Sequence, residues 1–276
     1  MQTVYALWAR NMKEFIRDKT RLIFTLVFPF FFVYVFSAIF QNDYIDNAIT
    51  YMLAGIIVST VFDVSLRVSS STITDMSSGF MKEVLVSPIS RFSVVVGQFL
   101  SSATVATVQG FLILIVGFFI GFKISSPLTL VYIVLAMAYI GLIFSGFGLF
   151  LATKTKSTQT FQIVSMSITM PMSFISGAYI PFSLLPETLK YIGYFNPLSY
   201  AVAFFRTIAL EKTDLSPSQL MLEELAFDIN GFIITPVISM LILLIFGLLF
   251  LVLSTYSFLN ADFSKINHNK GDSIEW

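Results

Sequence analysis

Charge is absent from this chain over long blocks. Phe92–Phe122, Ile124–Thr153, Ser157–Pro186 and Ile229–Ala261 contain no Asp, Glu, Lys or Arg, and each exceeds the run of about 20 apolar residues that crosses a bilayer core. A helix on the surface of a soluble protein needs a charged face, and these blocks have none. A fifth apolar run, Leu22–Phe40, is too long for the hydrophobic region of a cleavable signal and is followed by no small-x-small cleavage pattern, so it reads as a retained span. The pattern predicts a polytopic all-α membrane protein with spans near 22–40, 48–67, 93–120, 128–152, 158–181 and 231–258. The third run is longer than one crossing needs, which predicts tilt or extension beyond the bilayer. Pro29, Pro171 and Pro236 fall inside predicted spans and are expected to kink them.

Composition agrees: 56% of residues are hydrophobic and 12% charged, against about 25% charged in a soluble domain. One membrane domain, 22–262, fills the chain between an N-terminal segment, 1–21, and a polar tail, 263–276. The 16 basic and 16 acidic residues balance, which gives no reason to expect nucleic acid as a partner. There is no cysteine, and the one histidine, His268, lies in the tail, so neither disulfides nor a thiolate or multi-histidine metal site is expected.

Basic residues set the orientation. With the N-terminus inside, the cytoplasmic segments hold all but Lys123, Lys190, Arg206 and Lys212 of the 16 cations, which predicts both termini in the cytoplasm. The acidic residues between 211 and 228 fall outside.

Three segments are not plain spans. In Thr3–Arg21, Val4, Leu7, Trp8, Met12, Phe15 and Ile16 recur at helical spacing opposite Arg10, Lys13, Glu14, Arg17, Asp18 and Arg21. This predicts an amphipathic helix lying in the interface, its Trp and Phe in lipid and its cations toward anionic headgroups; the alternative is a basic flank that only sets orientation. In Asp75–Arg91, Met81, Val84 and Leu85 form a short apolar stripe that Pro88 ends. It is covered either by a partner or by the chain's own helix ends. In Ile180–Asp228, the first half is too apolar for a free loop, yet Pro181, Pro186, Pro197, Glu187, Lys190 and Arg206 preclude a span. Two short helices broken at Asn196-Pro197 and dipping into the outer leaflet satisfy both constraints, with Arg206 extending its stem to the outer interface, toward Glu211 or Asp214. Ser216-Pro217 marks a turn and a helix start.

Two passages carry a resemblance. SGFMKEVLVSPISR, Ser78–Arg91, and SGAYIPFSLLPETLKYIGYFNPLSYAVAFFR, Ser176–Arg206, are similar to two stretches of the ABC-2 type permeases, the membrane subunits of ATP-binding-cassette exporters, and the cytoplasmic motif looks more like their drug-export branch. The resemblance implies six spans, an interfacial N-terminal helix, a cytoplasmic coupling helix between spans two and three, and a re-entrant outer hairpin between spans five and six. It implies that Phe80, Met81, Val84, Leu85, Pro88 and Arg91 couple to the ATPase. It also implies that Gly177, Pro181, Pro186, Asn196, Pro197, Leu198, Tyr200 and Arg206 belong to an outer re-entrant gate. The implied partners are a cytoplasmic ATPase, a second permease (identical or a paralogue), membrane lipids and a hydrophobic or amphipathic substrate such as a drug, antibiotic, peptide or lipid. The setting is a bacterial inner or plasma membrane. The chain has no phosphate-binding loop, so ATP and Mg would sit on the partner, with no cofactor on this chain and no catalysis by it.

Asp63 is the one acid well inside a predicted span. Such a carboxylate costs about 2.5–3.5 kcal/mol near the bilayer centre on insertion scales and is by default a functional candidate. Arg67 one turn away has the spacing of an ion pair, so a structural anchor stands beside a substrate or proton site. Gly117-x-x-x-Gly121, Gly141-x-x-x-Ser145 and Gly148-x-x-x-Ala152 allow close helix contacts. The 31 Phe residues are expected at lipid or packing surfaces, and any that line a cavity favour a greasy or aromatic substrate. A secondary transporter or channel would need broken helices or paired charges at the midplane. A membrane enzyme would need an acid–base cluster at membrane depth. An immunity or sensor protein on the same fold remains open.

Overall fold

In the computed structural model, residues 2–40, 48–77, 90–155 and 157–260 are described. In chain order the elements are α1 (Gln2–Arg17), α2 (Lys19–Phe40), α3 (Ala48–Val68), α4 (Ser70–Ser77), α5 (Arg91–Ile120), α6 (Pro127–Lys154) and α7 (Thr158–Ile175). A 3-10 turn (Phe182–Leu184), α8 (Glu187–Phe195), α9 (Pro197–Ala209), α10 (Pro217–Leu222), β1 (Phe227–Ile229), β2 (Phe232–Ile234) and α11 (Pro236–Leu259) follow.

The helix ends are written locally. Ser90, Ser126 and Ser157 cap α5, α6 and α7 by accepting a backbone N–H, and Asn196 does the same for α9. A side-chain oxygen there satisfies one of the amides that a helix start leaves bare. Pro127, Pro197, Pro217 and Pro236 occupy first turns, where the missing N–H costs nothing.

Among the described residues four helical stretches are long and apolar enough to cross a membrane: Ile49–Asp75, Arg91–Ile120, Pro127–Lys154 and Pro236–Leu259. The first is the hub. Nearly 90% of its most apolar window is buried within the chain, and it packs on α5, α6, α9 and α2. Glycine permits the closest approaches: a Cβ on Gly117 or Gly148 would run into Leu53 or Leu66 of α3, and one on Gly141 would press the α5 backbone at Ala103. The first and third of the predicted glycine motifs therefore pack within the chain on α3, and the second packs on α5. α11 is the opposite case. It rests on α6 and α9 and turns Val237, Leu241, Ile245, Leu248 and Val252 outward.

Four expectations need correction. The fifth predicted span does not continue to 181: α7 stops at Ile175, because Gly177 takes φ +84° and turns the chain back. The sixth does not start at 231. Asn230 and Gly231 take φ 54° and 84° and turn an antiparallel hairpin that pairs Phe227 with Ile234 and Ile229 with Phe232, so the fold is not wholly α. Asn-Gly is the strongest short hairpin signal, and it stood at the edge of the charge-free block. Pro236 is consequently the first residue of α11 and kinks nothing, whereas Pro29 and Pro171 do lie inside helices.

Candidate functional site

The 176–206 segment is built on buried polar contacts. Asn196 accepts from the Leu198 amide at 3.0 Å, starting α9, and its Nδ2 donates to the Met172 carbonyl at 2.7 Å, tying the α8–α9 corner to the end of α7. Ser199 and Tyr200 donate to the Gly193 and Tyr194 carbonyls at 2.9 and 2.5 Å, which satisfies the last turn of α8. Leu198 is fully buried, Pro181 is buried and Pro186 is exposed at the start of α8. Beside Gly177, the Ala178 carbonyl packs so closely on Gly55 that a Cβ there would clash with it. Gly55 lies in the second turn of α3. The 176–179 turn thus sits directly against the hub helix at Gly55.

Arg206 does not extend to the outer interface. It is the largest fully buried side chain, 2% exposed. Its guanidinium lies over the Tyr51 ring, 3.5 Å from the centroid, and Nη2 donates to the Gly177 carbonyl at 2.9 Å. The Tyr51 hydroxyl donates to Glu224 at 2.7 Å, and the Ser183 hydroxyl donates to the other oxygen of the same carboxylate. The physical reason is geometric. Arg206 follows a run of buried residues on α9, and its planar cation finds an aromatic face, a carbonyl and a nearby carboxylate inside, so it is compensated without leaving. The expected partners behave otherwise. Glu211 accepts from the Ser125 amide at 3.0 Å, and Asp214 accepts from the Thr213 hydroxyl at 3.5 Å. The Ser125 and Thr129 hydroxyls hold the Glu211 carboxyl below its usual range.

On the opposite face, α1 does lie as an amphipathic helix, but its stripe faces protein more than lipid. Leu7 and Phe15 are buried, while Tyr5 and Ile16 are exposed. Trp8 Nε1 donates to Thr104 at 3.2 Å, and Leu7 presses on Gly97 of α5. Arg10 grips both oxygens of Asp75 at 2.9 and 2.7 Å. Asn11 donates to Gln98 at 3.3 Å, and Gln98 Nε2 donates to Ser71 and to the Val68 carbonyl at 2.9 and 3.2 Å. That carbonyl is available because the helix breaks at Ser69, between α3 and α4. A polar chain therefore joins α1, α4 and α5. Asn11 and Gln98, polar residues on otherwise apolar faces, were the overlooked signal.

The Asp63 carboxylate contacts Arg67 Nη2 across one turn of α3, and both side chains stay partly open. They differ from the rest of the helix between 50 and 68, all of it buried. Arg91 donates to the Leu259 carbonyl at the end of α11, 2.6 Å away. Phe80, Met81, Val84, Leu85 and Pro88 lie outside the described residues. Among the described residues no group of three or more His, Cys, Asp or Glu is placed to hold a metal ion.

α7 has an unusual surface for an apolar environment. Phe161, Ser165, Thr169 and Ser173 form its buried stripe. Outward it presents Gln159, Thr160, Gln162 and Ser167 among Ile163, Met166, Met170 and Pro171. The exposed positions of α11 show no such mixture: they are apolar residues and Tyr256.

Among the described residues, four helices long and apolar enough to cross a membrane, packed around one hub, define a multi-pass membrane protein. The chain belongs to the ABC-2 type transporter family, whose model matches residues 2–210. It is similar to the ycf38 protein of Cyanophora paradoxa, named as a transport permease, with 27% identity over 257 residues, covering 90% of this chain and 86% of that one. It is similar to the inner membrane transport permease YadH of Escherichia coli, with 23% identity over 212 residues, 73% and 80% of the two chains. YbhR of Escherichia coli, whose name places it among multidrug ABC transporter permeases, is 25% identical over 156 residues, 56% of this chain and 42% of that one. The chain is thus a transport permease, a membrane subunit of a family that implies an ATP-binding-cassette partner.

Proposed function

We propose that this permease crosses the membrane six times with both ends in the cytoplasm, pairs with a second permease and a separate ATPase, and exports a hydrophobic or amphipathic compound through the path between the two permeases. α2 and α7 supply the first and fifth crossings, the 78–89 segment docks on the ATPase, and the 176–206 hairpin closes the outer end.

The observation that carries this reading is the outward face of α7. Gln and Ser side chains facing lipid would be left without partners, at a cost of a few kcal/mol each, while thioethers and Ile facing bulk water would be wasted. A mixed surface suits a helix that borders a second subunit and a wet, greasy path. The depth of the 176–179 turn against α3 supports the gate, since irregular backbone is tolerated at membrane depth only where protein or cavity water covers it.

Because the chain has no cysteine, Met166→Cys can carry a thiol-linked photo-crosslinker in native membranes. The expected product is a permease–permease adduct, with the identical chain or a paralogue. The same label at Leu244→Cys, exposed on α11, should capture lipid. Capture of lipid alone from Met166→Cys would remove the proposed interface.

A further inference from the structure

We infer that the groove between α1 and α5 is a binding site for one acyl chain of an anionic phospholipid. The groove has a volume of about 760 Å³ and is walled by Val4, Tyr5 and Trp8 on one side and by Phe92, Val96 and Leu100 on the other, with Ser93 and Thr104 along its edge. The hydroxyls of Ser93 and Thr104 and the Trp8 indole are already engaged. Thr104 donates to the Leu100 carbonyl at 2.6 Å and accepts from Trp8, and the Ser93 hydroxyl is hydrogen-bonded to Ser90. Apart from the exposed Tyr5, the wall therefore offers an occupant apolar contact rather than hydrogen bonds. The wall runs from residue 92 to 104 of α5, about 18 Å at helical rise, close to the depth of about 15 Å of one leaflet's hydrocarbon. An extended hydrocarbon chain fits that shape.

The charge around the groove selects the headgroup. On the α1 helical wheel Tyr5 and Ile16, both exposed, border the groove face, Lys13 lies next beyond them and Arg17 falls opposite Trp8, with both cations exposed alongside Glu14 and Asp18. Lys19, also exposed, begins the next helix. Arg10 is committed to Asp75 and Glu14. Lys13, Arg17 and Lys19 outnumber the exposed Asp18 on the segment that continues α1 past the groove, and basic residues at a membrane surface attract acidic lipids by about 1 kcal/mol each. The leaflet, the cytoplasmic one, rests on the orientation proposed above, whereas the binding itself does not.

The test uses Trp8 as the reporter. The chain has two Trp residues, so Trp276→Phe leaves Trp8 as the single indole, one wall of the groove. The full-length variant is reconstituted into phosphatidylcholine vesicles containing a minor fraction of brominated-chain phosphatidylglycerol or, separately, of brominated-chain phosphatidylcholine. Bromine quenches an indole on contact. The expected result is stronger quenching by the acidic lipid at equal fraction. Val96→Phe, which fills the groove, should weaken that lipid roughly tenfold, the equivalent of about two methylenes of lost burial. Lys13→Gln with Arg17→Gln should erase the headgroup preference and leave the quenching by both lipids equal. An unchanged thermal midpoint in detergent shows that each variant is folded. Equal quenching by both lipids in the parent, no change in Val96→Phe, or relief of quenching by added ATPase partner would each overturn the assignment, the last by giving the groove to the ATPase.

Discussion

The guanidinium of Arg206 is stacked 3.5 Å from the centre of the Tyr51 ring, joining α9 to the first turn of the hub helix α3. The hydroxyl of the same Tyr51 reaches Glu224 beyond the far end of α10. One aromatic side chain thus holds two outer segments against α3, with a cation on its face and a carboxylate at its edge.

Replacing Arg206 by Ala should cost about 3 kcal/mol, the sum of a desolvated cation–π contact and an orphaned Gly177 carbonyl. In a thermal unfolding scan this reads as a fall of several degrees. Arg206→Lys keeps the charge and loses the planar stack, so it should recover less than half of the loss. A lysine variant as stable as the parent would show that charge alone matters.

Gly55→Ala should be far worse than Gly141→Ala, although both are single methyl additions to membrane helices. At Gly55 the new Cβ collides with the Ala178 carbonyl, whereas at Gly141 it meets Ala103 at 3.3 Å. Overpacking typically costs about 1–3 kcal/mol, and here it would push the 176–179 turn off α3. If the turn closes the outer end, transport should fall more steeply than stability, measured as export rate per folded protein.

Glu211 links the end of α9 to the α5–α6 connection, and the hydroxyls of Ser125 and Thr129 lower its pKa. A carboxyl depressed in the folded state stabilises above its unfolded value of about 4.3, and that contribution disappears as pH falls through the lower folded value. Glu211→Gln should therefore lower the thermal midpoint by a constant amount at neutral pH, under about 3 °C for a surface contact. Parent and variant should converge at acid pH. A difference that grows on acidification contradicts the assignment.

A charge in the 78–89 segment should detach the ATPase and leave the membrane fold in place. Val84→Asp or Leu85→Asp puts an unpaired carboxylate into the expected apolar contact, a loss of about 3–5 kcal/mol where fully desolvated. Co-purification with the ATPase is the measurement, and undiminished recovery would end the coupling role.

The proposed topology has a direct check. Ser218 is exposed on α10, so Ser218→Cys should react with an impermeant thiol reagent in intact cells and Ser78→Cys should not. The reverse labelling would invert the orientation.

The long charge-free blocks and the Ser-Pro and Asn-Pro punctuation were enough to read the membrane class and most helix starts, because bilayer length and capping chemistry are local constraints. The same residues from Ser176 to Arg206 that carried the family resemblance form the folded-back hairpin. Three features required the tertiary structure. Arg206 could be placed inside only once Tyr51, Gly177 and Glu224 had been brought around it from separate elements, since a cation alone on a sequence is read as seeking water. The amphipathic stripe of α1 has helical period whether it meets lipid or α5, and only packing shows Phe15 and Asn11 turned toward the protein. The end of α7 depends on a left-handed Gly177 that no hydropathy pattern records. Sequence determines which segments leave water; the contacts between them decide which polar groups can stay behind.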